Sequence, residues 1–154
     1  MATPRIAPFP RPYGAFNFTV EFGAENGAPP ILSGFSDVSG IKKEINYSEY
    51  REGTSVFNTV QKIPNTFKVD EVTLKRGLVG STDIFDWLHA VRDGAYQPRT
   101  VTVIMHDEAR NEVLSLVLIN AQPKSWVGPT LAAKGGGEVA MEELHLVYER
   151  IDYE

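Results

Sequence analysis

GFSDVSGIKKEINYSEYREG, residues 34–53, has the alternation of a β-strand but few of the apolar residues that a buried strand needs. Ile45 and Tyr47 alternate with Glu44, Asn46 and Ser48, so one face of the run is polar throughout. The run then tips into Tyr50-Arg51-Glu52-Gly53, a charged turn. A small protein on its own gains little from a long strand of this kind. The pattern predicts a strand built to meet other copies of the same chain.

Outward from this stretch the chain reads mainly as strands. FNFTVEF (16–22) sets Phe16, Phe18, Val20 and Phe22 on one face, and GAENGAPP (23–30) follows as a turn or loop. ILSGF (31–35) reads as a strand, with Gly34 and Gly40 as bends or bulges. Residues 51–67 read as a loop or hairpin with a turn at Pro64-Asn65, and KVDEVTLKRGL (68–78) as one strand ending at Gly77. A helix is predicted over 82–93, with Ser81 or Thr82 as N-cap, Asp83 in the first turn and Gly94 closing it. Its core anchors are Ile84, Leu88 and Val91, and Trp87 points to core or to a neighbouring subunit. TVTVIMH (100–106) and EVLSLVLINA (112–121) form a hairpin around Asp107 to Asn111, and PKSWVGPTLAAKGGG (123–137) is loop. EVAMEELHLVYERI (138–151) reads as a last strand with apolar residues on both faces, although a helix over 138–150 also fits its Glu and Leu content. The fold class is therefore mainly β: a two-sheet β-sandwich or barrel with one packed helix. Four prolines mark residues 1–14 as an N-terminal arm, and residues 15–154 form a single domain.

Composition narrows the function. The 154 residues are 42% hydrophobic, contain no cysteine and carry a net charge of −5. Thiolate chemistry and disulfides are excluded, and an acidic chain is a poor stable binder of nucleic acid. His89, His106 and His145 lie far apart in the sequence, outside metal-ligand spacings. GFSDVSG has Val38 where a nucleophile elbow needs its second glycine, and AAKGGGE has the wrong order for a phosphate loop. No catalytic residue, metal or cofactor is expected. The N-terminus lacks the apolar run of a signal peptide, and no run has membrane-spanning length, so synthesis in the cytoplasm is expected.

Several short motifs occur in a telling order: Gly34-Phe35-Ser36-Asp37-Val38-Ser39-Gly40-Ile41, Glu49-Tyr50-Arg51-Glu52-Gly53, Lys62-Ile63-Pro64, Leu74-Lys75-Arg76-Gly77, Asn120-Ala121-Gln122-Pro123 and Glu142-Glu143-Leu144. In this order, over nearly the whole chain, they resemble the tail-tube family of contractile phage tails, R-type bacteriocins and extracellular contractile injection systems. The resemblance implies a fold similar to the type VI secretion tube protein. It also implies hexameric rings, closed by strand pairing between neighbours and stacked into a hollow tube inside a contractile sheath. Implied partners are other copies of the chain, sheath subunits, baseplate and tube-terminating proteins, and a protein or DNA cargo in the lumen. The particle is assembled in the cytoplasm and can be released.

On that reading Glu44, Asn46, Ser48, Glu71, Thr73 and Lys75 are candidates to face the lumen, since each alternates with apolar neighbours. The segment 50–64 is too long for a tight turn and too apolar for a solvated loop. Tyr50, Arg51, Glu52, Val56, Phe57, Val60, Lys62 and Ile63 are therefore expected to form the ring-stacking contact, with Arg51 and Glu52 in intersubunit charge pairs. The alternative is a monomeric β-barrel that binds a small apolar ligand.

Overall fold

The structure, a computed structural model, describes residues 12–23, 31, 34–54, 56–57, 59–135 and 137–154. In chain order its elements are β1 (Phe18–Phe22), β2 (Asp37–Ser39), β3 (Lys43–Tyr50), β4 (Gln61–Val69), β5 (Val72–Gly77), α1 (Asp83–Arg92), β6 (Arg99–His106), β7 (Glu112–Val127), β8 (Met141–Val147) and β9 (Arg150–Tyr153). The predicted architecture, mainly β with one packed helix, is the one observed.

The two halves of the sandwich meet along β7. Its first half pairs with β6 on one edge and with β9 on the other, and β1 lies outside β6. Its second half pairs with β8, followed by β5 and β2. The strand order is β1-β6-β7-β8-β5-β2, and this path does not close on itself. The switch between halves falls at Asn120, whose φ of 54° is left-handed. Asparagine tolerates that region better than most residues, because its short amide can bond locally. Here the amide donates to Glu149 Oε2 at 2.8 Å, and the Glu149 N–H donates to Ile119 O at 3.0 Å. The corner is thus pinned from both strands, as in sandwiches whose strands change sheet at a bend.

Alternate residues of these strands fill the interior. Val20, Val72, Leu74, Val101, Leu118, Leu144 and Leu146 have no exposed surface. The helix covers one side of this core. Ile84 and Trp87 are buried and Val91 packs against the cluster, while Leu88 is only half-buried. Trp87 therefore faces the core, and the buried stripe is Ile84, Trp87 and Val91 more than Leu88.

Four charged side chains are also buried here. Arg76 donates to both oxygens of Asp83 and to Glu142 Oε1, and Trp126 Nε1 donates to Glu142 Oε2 at 2.9 Å. Arg99 lies 4.9 Å from the centre of the Trp87 ring. Burial opposes the Arg76 charge, but the Asp83 and Glu142 carboxylates outweigh it and hold its pKa above the ordinary arginine value. Burial lowers that of Arg99, with Asp83 acting the other way.

Several predicted elements shift. KVDEVTLKRGL is not one strand: Lys68 and Val69 end β4, and β5 begins at Val72. Pro64-Asn65 lies inside β4, at a register shift opposite Ile45 and Tyr47. Proline is tolerated there because β4 pairs on one side only. β7 runs on through Pro123 to Val127, again with a register shift at Pro123, so the following loop begins later than predicted. The last segment is strand, broken into β8 and β9 at Tyr148-Glu149. The expected strand ILSGF falls partly outside the described residues; Phe35 packs by its ring on Phe22 (5.7 Å) and under Arg76 (5.6 Å), outside any ladder. Of the N-terminal arm, only residues 12–14 lie within the described residues.

Candidate functional site

β3 and β4 form a two-stranded sheet of their own. It leaves the body between Gly40 and Glu71, where the Asp70 N–H donates to Lys42 O at 3.2 Å. Gly40 has a φ of 85°, and a Cβ there would sit 2.7 Å from Glu71 O. Only glycine fits that exit. Every described residue from Ile45 to Lys68 is exposed.

The register gives the arm two unlike faces. Ile45 lies opposite Phe67, and Tyr47 opposite Pro64, on an apolar face where Lys43 Nζ stands 5.8 Å from the Phe67 ring centre. The other face is polar: Asn46 Nδ2 donates to Thr66 Oγ1 at 3.2 Å, Asn65 Nδ2 to Ser48 Oγ at 3.0 Å, and Glu44 meets Lys68 at 3.9 Å. Glu44, Asn46 and Ser48 thus share one face, with Asn65 and Thr66 as partners that the strand alternation alone did not identify. Lys62 is ion-paired with Glu49 on the arm itself. At the tip Val56 is 92% and Phe57 74% exposed, and Tyr50, Val60 and Ile63 are also exposed, beside Arg51 and Glu52. A lone two-stranded hairpin is marginal in water, and a monomer seldom leaves so much apolar surface on one element.

Glu71, Thr73 and Lys75 lie elsewhere, at the start and on the outer face of β5, so the two sets of lumen candidates do not share a sheet. Around them Glu71 is paired with Lys124, and Lys75 Nζ lies 3.2 Å from Glu143 Oε1. His145 sits between, with Nδ1 3.6 Å from Glu71 and Nε2 3.4 Å from Glu143, and Nδ1 3.2 Å from Thr73 Oγ1. The Lys124 ammonium holds Glu71 below the ordinary carboxylate value of 4.5. Lys75 does the same for Glu143. A depressed carboxylate pKa contributes stability that is present above 4.5 and lost as pH falls through the lower folded value. On this open surface the contribution is small. Carboxyl-carbon NMR titration should place both midpoints below 4.5, and Lys124→Ala should move that of Glu71 upward while leaving Glu143 in place. Equal movement of both would contradict separate pairs.

Among the described residues, no group of three or more His, Cys, Asp or Glu is placed to hold a metal ion. No helix there is long and apolar enough to cross a membrane. Buried apolar side chains of the strands and of α1 pack together as one cluster in the interior.

The sequence profile of the T4-like virus tail tube protein gp19 family matches residues 14–152. The chain belongs to that family. This tail tube protein also has the fold of a chain in the six-fold symmetrised baseplate of the anti-feeding prophage, with a TM-score of 0.82 and 23% identity over 93% of this chain and 95% of that one. A chain of the sheath-tube complex of the extracellular contractile injection system PVC is similar too, with a TM-score of 0.80 and 24% identity over 95% and 93%. More distantly, the fold is similar to that of a type six secretion system protein, with a TM-score of 0.55 and 11% identity over 90% and 83%. No curated protein sequence matches the chain.

Proposed function

We propose that this tail tube protein is the inner-tube subunit of a contractile injection system or phage-like tail. Six copies close into a ring, and rings stack into a hollow tube through which cargo is delivered. The exposed, two-faced β3–β4 arm carries the reading, because its apolar face and tip are best explained by a neighbouring copy. Residues 15–154 act as one tube unit, with residues 1–14 as an arm. Tyr50, Arg51, Glu52, Val56, Phe57, Val60, Lys62 and Ile63 belong to the stacking contact. Glu44, Asn46, Ser48, Glu71, Thr73 and Lys75 face the channel. Partners are further copies, sheath subunits, baseplate and tube-terminating proteins. The cargo is protein or DNA, held without a stable nucleic-acid site, as the net charge of −5 favours. The role is structural, not catalytic, within a contractile particle assembled in the cytoplasm and released from it.

Replacing residues 54–62 by a short Gly/Ser turn is expected to leave rings that no longer form tubes, seen by negative-stain electron microscopy. Tubes of parental length from this variant would remove the arm as the stacking element. A parent protein that elutes as a monomer and shows no rings at any concentration would sink the tube reading altogether.

A further inference from the structure

The β3–β4 arm returns to the body through Asp70 and Glu71. The Asp70 N–H donates to Lys42 O at 3.2 Å, and Lys42 Nζ stands 3.5 Å from the Asp70 carboxylate. A groove runs from this root onto the body, lined by Lys42, Val69 and Asp70 together with Glu71, Thr73 and Val147. His145 of β8 lies opposite Thr73 in the β5–β8 register. Its Nδ1 is 3.2 Å from Thr73 Oγ1 and 3.6 Å from Glu71, and its Nε2 is 3.4 Å from Glu143. The His145 side chain is 21% and that of Glu143 29% exposed, so salt screens these contacts less than those of the open surface.

Each ring nitrogen thus faces a carboxylate. A neutral imidazole has one N–H, so in either tautomer one carboxylate meets a nitrogen lone pair. The imidazolium has two N–H groups, one for each side, and the Thr73 hydroxyl is free to turn and accept. The surrounding charges leave a place for that cation. β5 brings Glu71 and Lys75, β7 brings Lys124, and β8 brings Glu143. β2 adds Asp37, which stands opposite Lys75 on the same face. Three carboxylates against two ammonium groups leave one negative charge, which an imidazolium cancels. Glu71 and Glu143 are held below the ordinary carboxylate value of 4.5, by Lys124 and Lys75 first, against burial, and by His145 after them. Both therefore stay ionised over the range of about pH 5 to 8 in which histidine takes up its charge.

We infer that His145 is a pH-sensitive staple of the arm root: its imidazolium ties Glu71 of the returning connection to Glu143 of β8. The arm is then held more firmly at about pH 6 than at about pH 8. The consequence for assembly rests on the stacking role of the arm. An arm held in one orientation has less freedom to lose on docking, so tubes should form faster at the lower pH.

Hydrogen exchange of the full chain tests the staple, read by mass spectrometry over residues 68–72 as protection relative to the unfolded chain at the same pH. From about pH 8 to about pH 6, protection in the parent should rise about two- to tenfold more than in His145→Gln, as two partly exposed charge pairs allow. His89 and His106 are present in both proteins, so their effects cancel. Glu143→Gln removes the far end of the staple and leaves His145 in place, and it should lose the increment too. An equal rise in the parent and His145→Gln overturns the inference. A full rise in Glu143→Gln also does, and that variant decides alone if His145→Gln does not fold. Tube growth is followed separately by light scattering, where His145→Gln should lose the advantage of the lower pH. Equal growth of the two proteins at about pH 6 overturns the link to stacking. Exchange as expected from a parent that forms no tubes at either pH sinks the tube reading and leaves the staple, so the two failures are told apart.

Discussion

Arg76→Ala is expected to lose about 3–5 kcal/mol, the usual cost of removing one partner from a buried charge pair. Domains of this kind have about 5–15 kcal/mol in total, so the variant should be largely unfolded under conditions the parent tolerates. Arg76 is 2% exposed and ties three elements together: its own strand β5, the first turn of α1 through Asp83, and β8 through Glu142. Alanine would leave two carboxylates buried with their guanidinium gone. It would also free Glu142 from the position in which it accepts the Trp126 indole N–H. Arg76→Lys keeps the charge but lacks the planar fork that serves Asp83 and Glu142 together, so it should fall between the two. Replacing the cluster by Arg76→Met, Asp83→Leu and Glu142→Gln should recover most of the loss, since an apolar substitute of similar volume often matches a buried ion pair. Urea midpoints of the four proteins decide it. An Arg76→Ala midpoint equal to that of the parent would mean that the cluster holds nothing together.

This cluster was readable in the sequence, though only by parity. In VTLKRG, Val72, Leu74 and Arg76 share one face of the strand, and in MEELHLV so do Glu142, Leu144 and Leu146. A cation and an anion on the inward parity of two strands are candidates for a buried pair, and the register sets Arg76 directly opposite Glu142. The elements whose own core dictates their pattern were the easiest to read. FTVEF, the helix from Asp83 to Arg92 and the hairpin of β6 and β7 alternate or repeat because they bury one face within the same chain. β4 was not legible as a strand, because all but its last residue are exposed and its apolar residues answer to no core in this chain. Pro64 and Pro123 read as breakers, yet both sit at register shifts where a missing N–H does little harm. The corner at Asn120 hides for a related reason: in a run that is apolar at consecutive positions, one left-handed residue leaves no mark on the hydrophobic pattern.

The helix offers a sharper test of which face is buried, because sequence periodicity pointed to Leu88 and the structure points to Trp87. Trp87 has 0% exposure, and its Nε1–H donates to Gln97 O at 3.0 Å. Its ring meets Phe22 edge-on at 6.2 Å between centres and carries the buried Arg99 on its face. Trp87→Ala should therefore cost about 3–5 kcal/mol, since it removes the largest side chain of the core and leaves a cavity the strands fill poorly. Arg99 would lose the ring it rests on as well, which places the expected value toward the upper end. Trp87→Phe keeps most of the apolar volume and gives up the bond to Gln97, a loss of about 1 kcal/mol. Leu88→Ala, at a half-buried position, should cost about 2 kcal/mol or less. For a chain of this length each kcal/mol moves the melting temperature by about 2–4 °C, so Trp87→Ala and Leu88→Ala should separate clearly in a thermal scan. Equal destabilisation by the two alanine variants would mean that the helix is rotated about its axis from the orientation described, with Leu88 as its true anchor.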